Sequence, residues 1–280
     1  MSQLFPSFII IGERKCGTSS LYRYLLDHPQ VLPAKQKETA FFSHSASFIR
    51  RNFPQYLEYF PKETDQRATM QWLDLNAQGE LFTKELSFGI EKDIDYITGE
   101  ASANVFSTVH PGKLKRYLPS IKLVVMMREP ISRAVSQHQM YERYKTEGRS
   151  WSWLLGTKER DFRLEWMALQ MNINKGPFLS PGRYFRNLNR WLKYFPASQF
   201  FFIRTEDLLD KSLAAQVLKE LIEFLDLENH SFGDILNKRF NRAPPEDQEL
   251  FASDYLKEFY SKENQLMEKY LNRKLWSYEF

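Results

Sequence analysis

The sequence predicts an α/β protein of three layers, a central parallel sheet flanked by helices on both faces. Three observations carry that prediction. Short runs that are apolar on both faces stand at Ser7 to Ile11, Ile121 to Met127 and Gln199 to Ile203. Helically spaced apolar residues follow each run, and strands that alternate with helices pair in parallel through right-handed crossovers.

The elements follow in chain order. Ser7 to Ile11 is the first strand and ends at Gly12. Over Thr18 to His28, Leu21, Tyr22, Leu25 and Leu26 recur at helical spacing, and Asp27-His28-Pro29 stops that helix. Ile121 to Met127 is the second strand. Pro130, just after Arg128-Glu129, suits the first position of a helix that runs through Arg133, Ser136 and Met140. Gln199 to Ile203 is the third strand, ahead of a helix near Leu213 to Leu225. The last segment, Glu246 to Leu271, is a helix with Leu250, Tyr255, Phe259 and Leu266 near one face. The stretches at about 63–95 and 145–181 read as insertions into a single domain of 1–280. In the second, Trp151 to Met171 fits the core of a helical excursion better than a lid over an apolar acceptor.

Composition narrows the chemistry. The 280 residues are 42% hydrophobic and 26% charged, which excludes a disordered chain. The 39 Lys and Arg against 35 Asp and Glu leave a net charge of +4, too small for a nucleic-acid coat or a polybasic membrane anchor. Anion chemistry must therefore be local, and no nucleic-acid partner is expected. The lone Cys16 excludes an internal disulfide, and no Cys/His cluster has zinc-ligand spacing. Phe8 to Ile11 and Leu123 to Met127, the longest apolar runs, fall far short of the ~18 to 20 residues of a membrane span. No basic region precedes the first strand, so the expected location is cytoplasmic.

The first strand-to-helix turn reads Gly12-Glu13-Arg14-Lys15-Cys16-Gly17-Thr18-Ser19. Its paired glycines let backbone N–H groups converge on the positive end of the next helix, which makes an anion cradle. The spacing is that of a Walker loop, but Thr18 follows the second glycine where an NTPase needs lysine, and the lysine lies inside the loop at Lys15. The fold expected is therefore P-loop-NTPase-like. The second strand ends in Arg128, where such an NTPase places the aspartate that organises Mg²⁺. Arg128 and Ser136, in the pattern Arg-x-Pro-x-x-Arg-x-x-Ser, suit a second phosphate, and no metal is required. Two anion sites on neighbouring strands imply a nucleotide with phosphates at both ends.

The chain resembles the sulfotransferases that use 3′-phosphoadenosine 5′-phosphosulfate, in the branch of the heparan sulfate enzymes and their bacterial relatives. The matching pieces are Arg14 to Ser19, His28-Pro29, Lys37 to Phe42, Gly99 to Ser102, Arg128 to Ser136, Gly182-Arg183-Tyr184, Trp191-Leu192, Phe195-Pro196, Phe259-Tyr260 and Glu263-Asn264. Their order carries the resemblance. It implies that Arg14, Lys15, Cys16, Gly17, Thr18 and Ser19 hold the 5′-phosphosulfate, with Lys15 on the leaving phosphate. It further implies that Arg128 and Ser136, with Arg242, hold the 3′-phosphate, and that Glu38 is the general base. Burial beside Phe41 and Phe42 would make that carboxylate more basic. The product is then 3′,5′-adenosine bisphosphate, and the acceptor is a glycan, lipid, small molecule or carrier-bound chain. Two positions depart from the branch: Ala40 where histidine is usual, and Ala101 where lysine is frequent. His44, His110 and His138 are candidates for the missing role. A magnesium-dependent P-loop kinase and a non-catalytic glycan- or sulfate-binding module are the competing readings of the same residues.

Overall fold

A computed structural model describes residues 3–75, 81–148, 158–171, 173, 176–238, 254–276 and 278. The chain runs β1 (Pro6–Ile10), α1 (Thr18–Leu25), β2 (Val31–Pro33), α2 (Ala46–Leu57), β3 (Arg67–Leu75), β4 (Leu81–Gly89) and β5 (Ile97–Ala101). It continues through α3 (Val105–Thr108), α4 (Pro111–Tyr117), β6 (Lys122–Met127), α5 (Pro130–Thr146), α6 (Lys158–Gln170) and α7 (Tyr184–Trp191). Last come β7 (Phe200–Arg204), α8 (Thr205–Leu209), α9 (Lys211–Phe224) and α10 (Asp254–Leu271).

Among the described residues, five strands form one parallel sheet in the order β2-β5-β1-β6-β7. The expected central strand is indeed central. Alternate residues of β1 and β6 feed two cores, which explains why both read as unbroken apolar runs. Ile9, Leu123, Val125 and Met127 meet Phe106, Leu114, Leu188, Trp191 and Phe195 on one face. Phe8, Ile10, Val124 and Met126 meet Leu21, Tyr22, Leu25, Leu218 and Leu221 on the other. Trp191 is wholly buried, and its indole N–H donates to the Phe106 carbonyl at 2.8 Å, so its large apolar surface carries no unsatisfied donor. No helix of the described residues is long and apolar enough to cross a membrane.

Three details differ from the sequence reading. β2 and β5 join the sheet although neither was anticipated; β2 is three residues long, and β5 carries Thr98 and Glu100 buried inside it. The polar 63–95 stretch contains the β3–β4 hairpin. Among the β3 residues whose burial is described, Ala68, Met70 and Trp72 are deeply buried and alternate with exposed residues, so the apolar signal is halved. On α10 the buried residues are Leu256, Tyr260, Asn264 and Met267, whereas Leu266 faces solvent. The helix is turned by its contacts: the Tyr260 hydroxyl donates to the Leu179 carbonyl at 2.7 Å. Leu250, Trp151 and Trp153 lie outside the described residues.

Candidate active site

Register assembles the site. β1 pairs with β5 on one side, Ile10 beside Ala101, and with β6 on the other, Ile10 beside Val124. The loops that follow these three strands therefore emerge together at the carboxyl edge of the sheet, where the connections diverge to opposite sides of β1, the switch point at which open α/β sheets generally bind ligands.

The loop after β1 is held by close packing and by backbone curvature. A Cβ built on Gly12 would lie 2.5 Å from Met126 Cβ on β6 and 2.9 Å from Thr18 Cγ2 on α1, so only glycine lets the chain leave β1 this close to both. Lys15 (φ 69°) and Gly17 (φ 81°) are left-handed on either side of Cys16. That curl gathers successive amides ahead of the α1 N-terminus, the usual backbone arrangement for an anion. Asn104, just past β5, braces the loop at two points. Its N–H donates to the Gly12 carbonyl at 2.9 Å, and its Oδ1 accepts from the Arg14 N–H at 3.2 Å.

The second position is tied to the first. Arg128, half-buried at the end of β6, donates to the Lys15 carbonyl at 3.3 Å. The Tyr184 hydroxyl accepts from the Arg128 N–H at 3.2 Å, donates to the Arg128 carbonyl at 2.8 Å and lies 3.6 Å from Cys16 Sγ. Thr205 Oγ1 is 2.9 Å from the carbonyl oxygens of both Cys16 and Met127, sharing its proton between them. Ser136 sits on the buried side of α5, Thr18 is buried at the start of α1, and Ser19 is half-buried beside it. Cys16 faces inward with its thiol pushed up to about 11 by burial, so only its backbone can meet a ligand.

Not every cation of the motif faces the cradle. Arg133 is fully buried and donates to Gln137, to the Phe178 carbonyl and, at 3.5 Å, to the Arg14 carbonyl, supporting the loop from beneath. The Arg14 guanidinium donates to the Tyr141 hydroxyl at 2.7 Å. Glu38 follows Lys37 on the loop between β2 and α2, is 43% exposed and is ion-paired with Lys37, whose ammonium also donates to the Ala101 carbonyl at 3.3 Å. The expected burial against Phe41 and Phe42 is absent, because those rings turn inward onto Tyr56. The Lys37 ammonium thus lies beside Ala101, the position where the branch often carries lysine. His138 is buried against Asp161 at 2.9 Å and His110 caps α4, so neither faces the cradle, while the His44 ring lies tilted against Phe48 at 4.3 Å. Arg242 lies outside the described residues.

Sequence reasoning assigned no role to Asn104, Tyr184, Thr205 or Glu13. Glu13 is fully buried in the cradle loop; its Oε2 accepts from Ser107 Oγ at 2.9 Å and its Oε1 has no hydrogen-bond partner. Burial pushes its carboxyl up to about 7, against the opposing pull of Arg133 and Ser107. The folded protein therefore keeps this proton up to about pH 7, whereas the unfolded chain releases it near 4.5. Between those limits the native state binds more protons, so the contribution to stability is full below 4.5 and is lost as pH rises through 7, by roughly 3 kcal/mol. Urea unfolding of the parent and of Glu13→Gln at pH 5 and pH 8 is expected to show the parent losing stability relative to the variant at the higher pH. A constant difference between the two would contradict this.

A family model described as a sulfotransferase domain matches residues 5–274. Heparan sulfate glucosamine 3-O-sulfotransferase 5 of Mus musculus is 28% identical over 231 residues, covering 80% of this chain and 54% of the mouse protein. The chain thus spans about half the length of that curated relative. Among solved structures, a sulfotransferase from Alicyclobacillus acidocaldarius superposes with a TM-score of 0.61 at 21% identity over 97% of each chain. A mouse sulfotransferase complexed with PAP gives 0.52 at 14% identity, over 94% of this chain and 81% of that one. The two structures establish the P-loop-like, three-layer fold. With the family model spanning nearly the whole chain, the protein belongs to the sulfotransferase domain family.

Proposed function

We propose that the chain moves a sulfuryl group from 3′-phosphoadenosine 5′-phosphosulfate to a hydroxyl or amine of an acceptor and releases 3′,5′-adenosine bisphosphate. One observation carries the reading: the curled glycine loop after β1 and Arg128 after β6 stand at the ends of neighbouring strands, joined by the hydrogen bond from Arg128 to the Lys15 carbonyl. Bare glycine backbone, a helix N-terminus, lysine and arginine form a donor set that suits phosphate groups at each end of one molecule.

In this reading Gly17, Thr18, Ser19 and the Cys16 backbone hold the 5′-phosphate, with Arg14 at the flank. Arg128 and Ser136 hold the 3′-phosphate, and Arg242 is assigned to the same end. When bound, the nucleotide supplies the sulfuryl group, whose sulfur–oxygen bond to the 5′-phosphate breaks as the bond to the acceptor forms. Lys15 stabilises the electron pair left on the phosphate oxygen, an effect that grows as water is excluded. Glu38 takes the acceptor proton as that oxygen or nitrogen attacks. Arg128 stands where an aspartate would organise magnesium, so turnover is expected to persist in EDTA; dependence on magnesium would favour the kinase reading. A relative named for 3-O-sulfation of heparan sulfate glucosamine makes a glycan hydroxyl the first acceptor to test.

The direct test is release of the bisphosphate from labelled donor with a heparosan oligosaccharide, 4-nitrophenol and a long-chain alcohol as acceptors. Stabilisation by 3′,5′-adenosine bisphosphate in a thermal shift checks the nucleotide site independently, and its absence would favour the binding-module reading. Glu38→Gln is expected to lower kcat roughly 100-fold while leaving bisphosphate affinity within about a factor of two; full turnover in that variant removes Glu38 as base. Tyr184→Phe leaves the Arg128 N–H without its partner and is expected to weaken bisphosphate binding about tenfold by titration calorimetry. Unaltered affinity would show that Tyr184 does not set the second position.

A further inference from the structure

Glu100 lies on β5 beside Ile9 of the central strand, and its carboxylate is almost wholly buried. Four hydrogen bonds converge on it. Its Oε2 accepts from the Thr39 N–H at 3.0 Å, Thr39 Oγ1 at 2.7 Å and Ser102 Oγ at 2.6 Å; its Oε1 accepts from the Tyr56 hydroxyl at 2.8 Å. Ser102 Oγ in turn accepts from the Ala40 N–H at 3.3 Å. The two backbone amides that follow Glu38 are thus held by this carboxylate, one directly and one through a single hydroxyl.

The residue before Glu38 is held by the same strand end. The Ala101 N–H donates to the Lys37 carbonyl at 2.8 Å, and the Lys37 ammonium returns to the Ala101 carbonyl. Tyr56 completes the frame, with its ring stacked on Phe41 at 4.7 Å and edge-on to Phe42 at 5.2 Å. Glu38 is therefore a single residue between two anchored neighbours, and its exposed side chain starts from a backbone fixed at 37 and 39. A buried carboxylate is costly unless its acceptors are filled, and all four donors that fill this one belong to the loop, to the residue just past β5 or to the helix beneath. The same strand end braces the nucleotide loop through Asn104.

We infer that Glu100 is the positioning residue of the reaction: it sets where the Glu38 carboxylate stands relative to the Lys15 loop. The inference rests on Glu38 being the base. Gln at position 100 has one acceptor oxygen for donors on two sides, so its amide N–H₂ must face either Tyr56 or the Thr39 and Ser102 donors, and the loop shifts. Small displacements of a reacting group have large kinetic costs.

The experiment compares the parent protein with Glu38→Gln, Glu100→Gln and the double variant. It measures turnover of labelled donor with the fastest acceptor of the panel, or with water if none reacts, alongside bisphosphate affinity and melting temperature. Glu100→Gln is expected to lower kcat roughly tenfold with bisphosphate affinity within about a factor of two, and to cost nothing further once Glu38 is Gln. Equal costs in both backgrounds, or a parallel loss of bisphosphate affinity, would show a merely structural role and overturn the inference. Full turnover in Glu38→Gln would instead remove the base on which the inference rests. An inactive parent would overturn the transferase reading, and the inference with it. Should Glu100→Gln fail to fold, Thr39→Val and Tyr56→Phe each remove one donor and leave the carboxylate in place. Each is expected to lower kcat several-fold, and unchanged kcat in both refutes the inference.

Discussion

Everything at this site depends on the parallel alignment of β5, β1 and β6. With Ile9 beside Glu100 and Leu123, and Ile10 beside Ala101 and Val124, β1 and β5 end level while β6 runs three residues further, to Met127. All three loops therefore start from one edge of a sheet whose two faces are filled with apolar side chains. A parallel sheet buried on both faces cannot slip in register, since a shift of one residue would exchange one core for the other. The spacing of the polar groups at the edge is inherited from that rigidity.

Backbone carbonyls, more than side-chain pairs, link these loops. Arg128 and Arg133 donate to the Lys15 and Arg14 carbonyls, Thr205 to those of Cys16 and Met127, and Asn104 to that of Gly12. Each bond satisfies a polar group in a curled loop that has no sheet partner, and each draws the outward side of the loop toward a neighbouring element. Two amides of the loop also have partners, the Arg14 N–H on Asn104 Oδ1 and the Cys16 N–H on the Glu13 carbonyl, each at 3.2 Å, and the one carboxylate within the loop is that of Glu13. That carboxyl is buried behind the loop, and burial favours its neutral form. The local field is then set by Lys15, Arg14 and Arg128 in a protein whose net charge is only +4.

The motif strings were legible in the sequence because each carries its own local chemistry. Gly12 and Gly17 mark the turn, Pro130 the start of α5, and the apolar runs β1, β6 and β7. The resemblance to sulfotransferases followed from the order of those strings, and the family match over residues 5–274 agrees with it. Strands β2 and β5 are hidden because β2 is short and β5 buries Thr98 and Glu100, whose polar side chains depend on partners as distant as Leu32 and Tyr56.

Residue type and spacing alone were thus enough for the class of fold, the curled loop after β1 and the arginine at the end of β6, since they decide whether a turn can curl and whether a strand is covered on both faces. Tertiary structure decided how those pieces are used. It turned Arg133 beneath the loop, left Glu38 exposed beside Lys37, and brought Tyr184 from 56 residues away onto Arg128. It also made Glu100 the acceptor for four donors. The physical reason is the same in each case. Local spacing fixes backbone conformation, but the direction of a polar side chain depends on which distant donor or acceptor can satisfy it once water is removed.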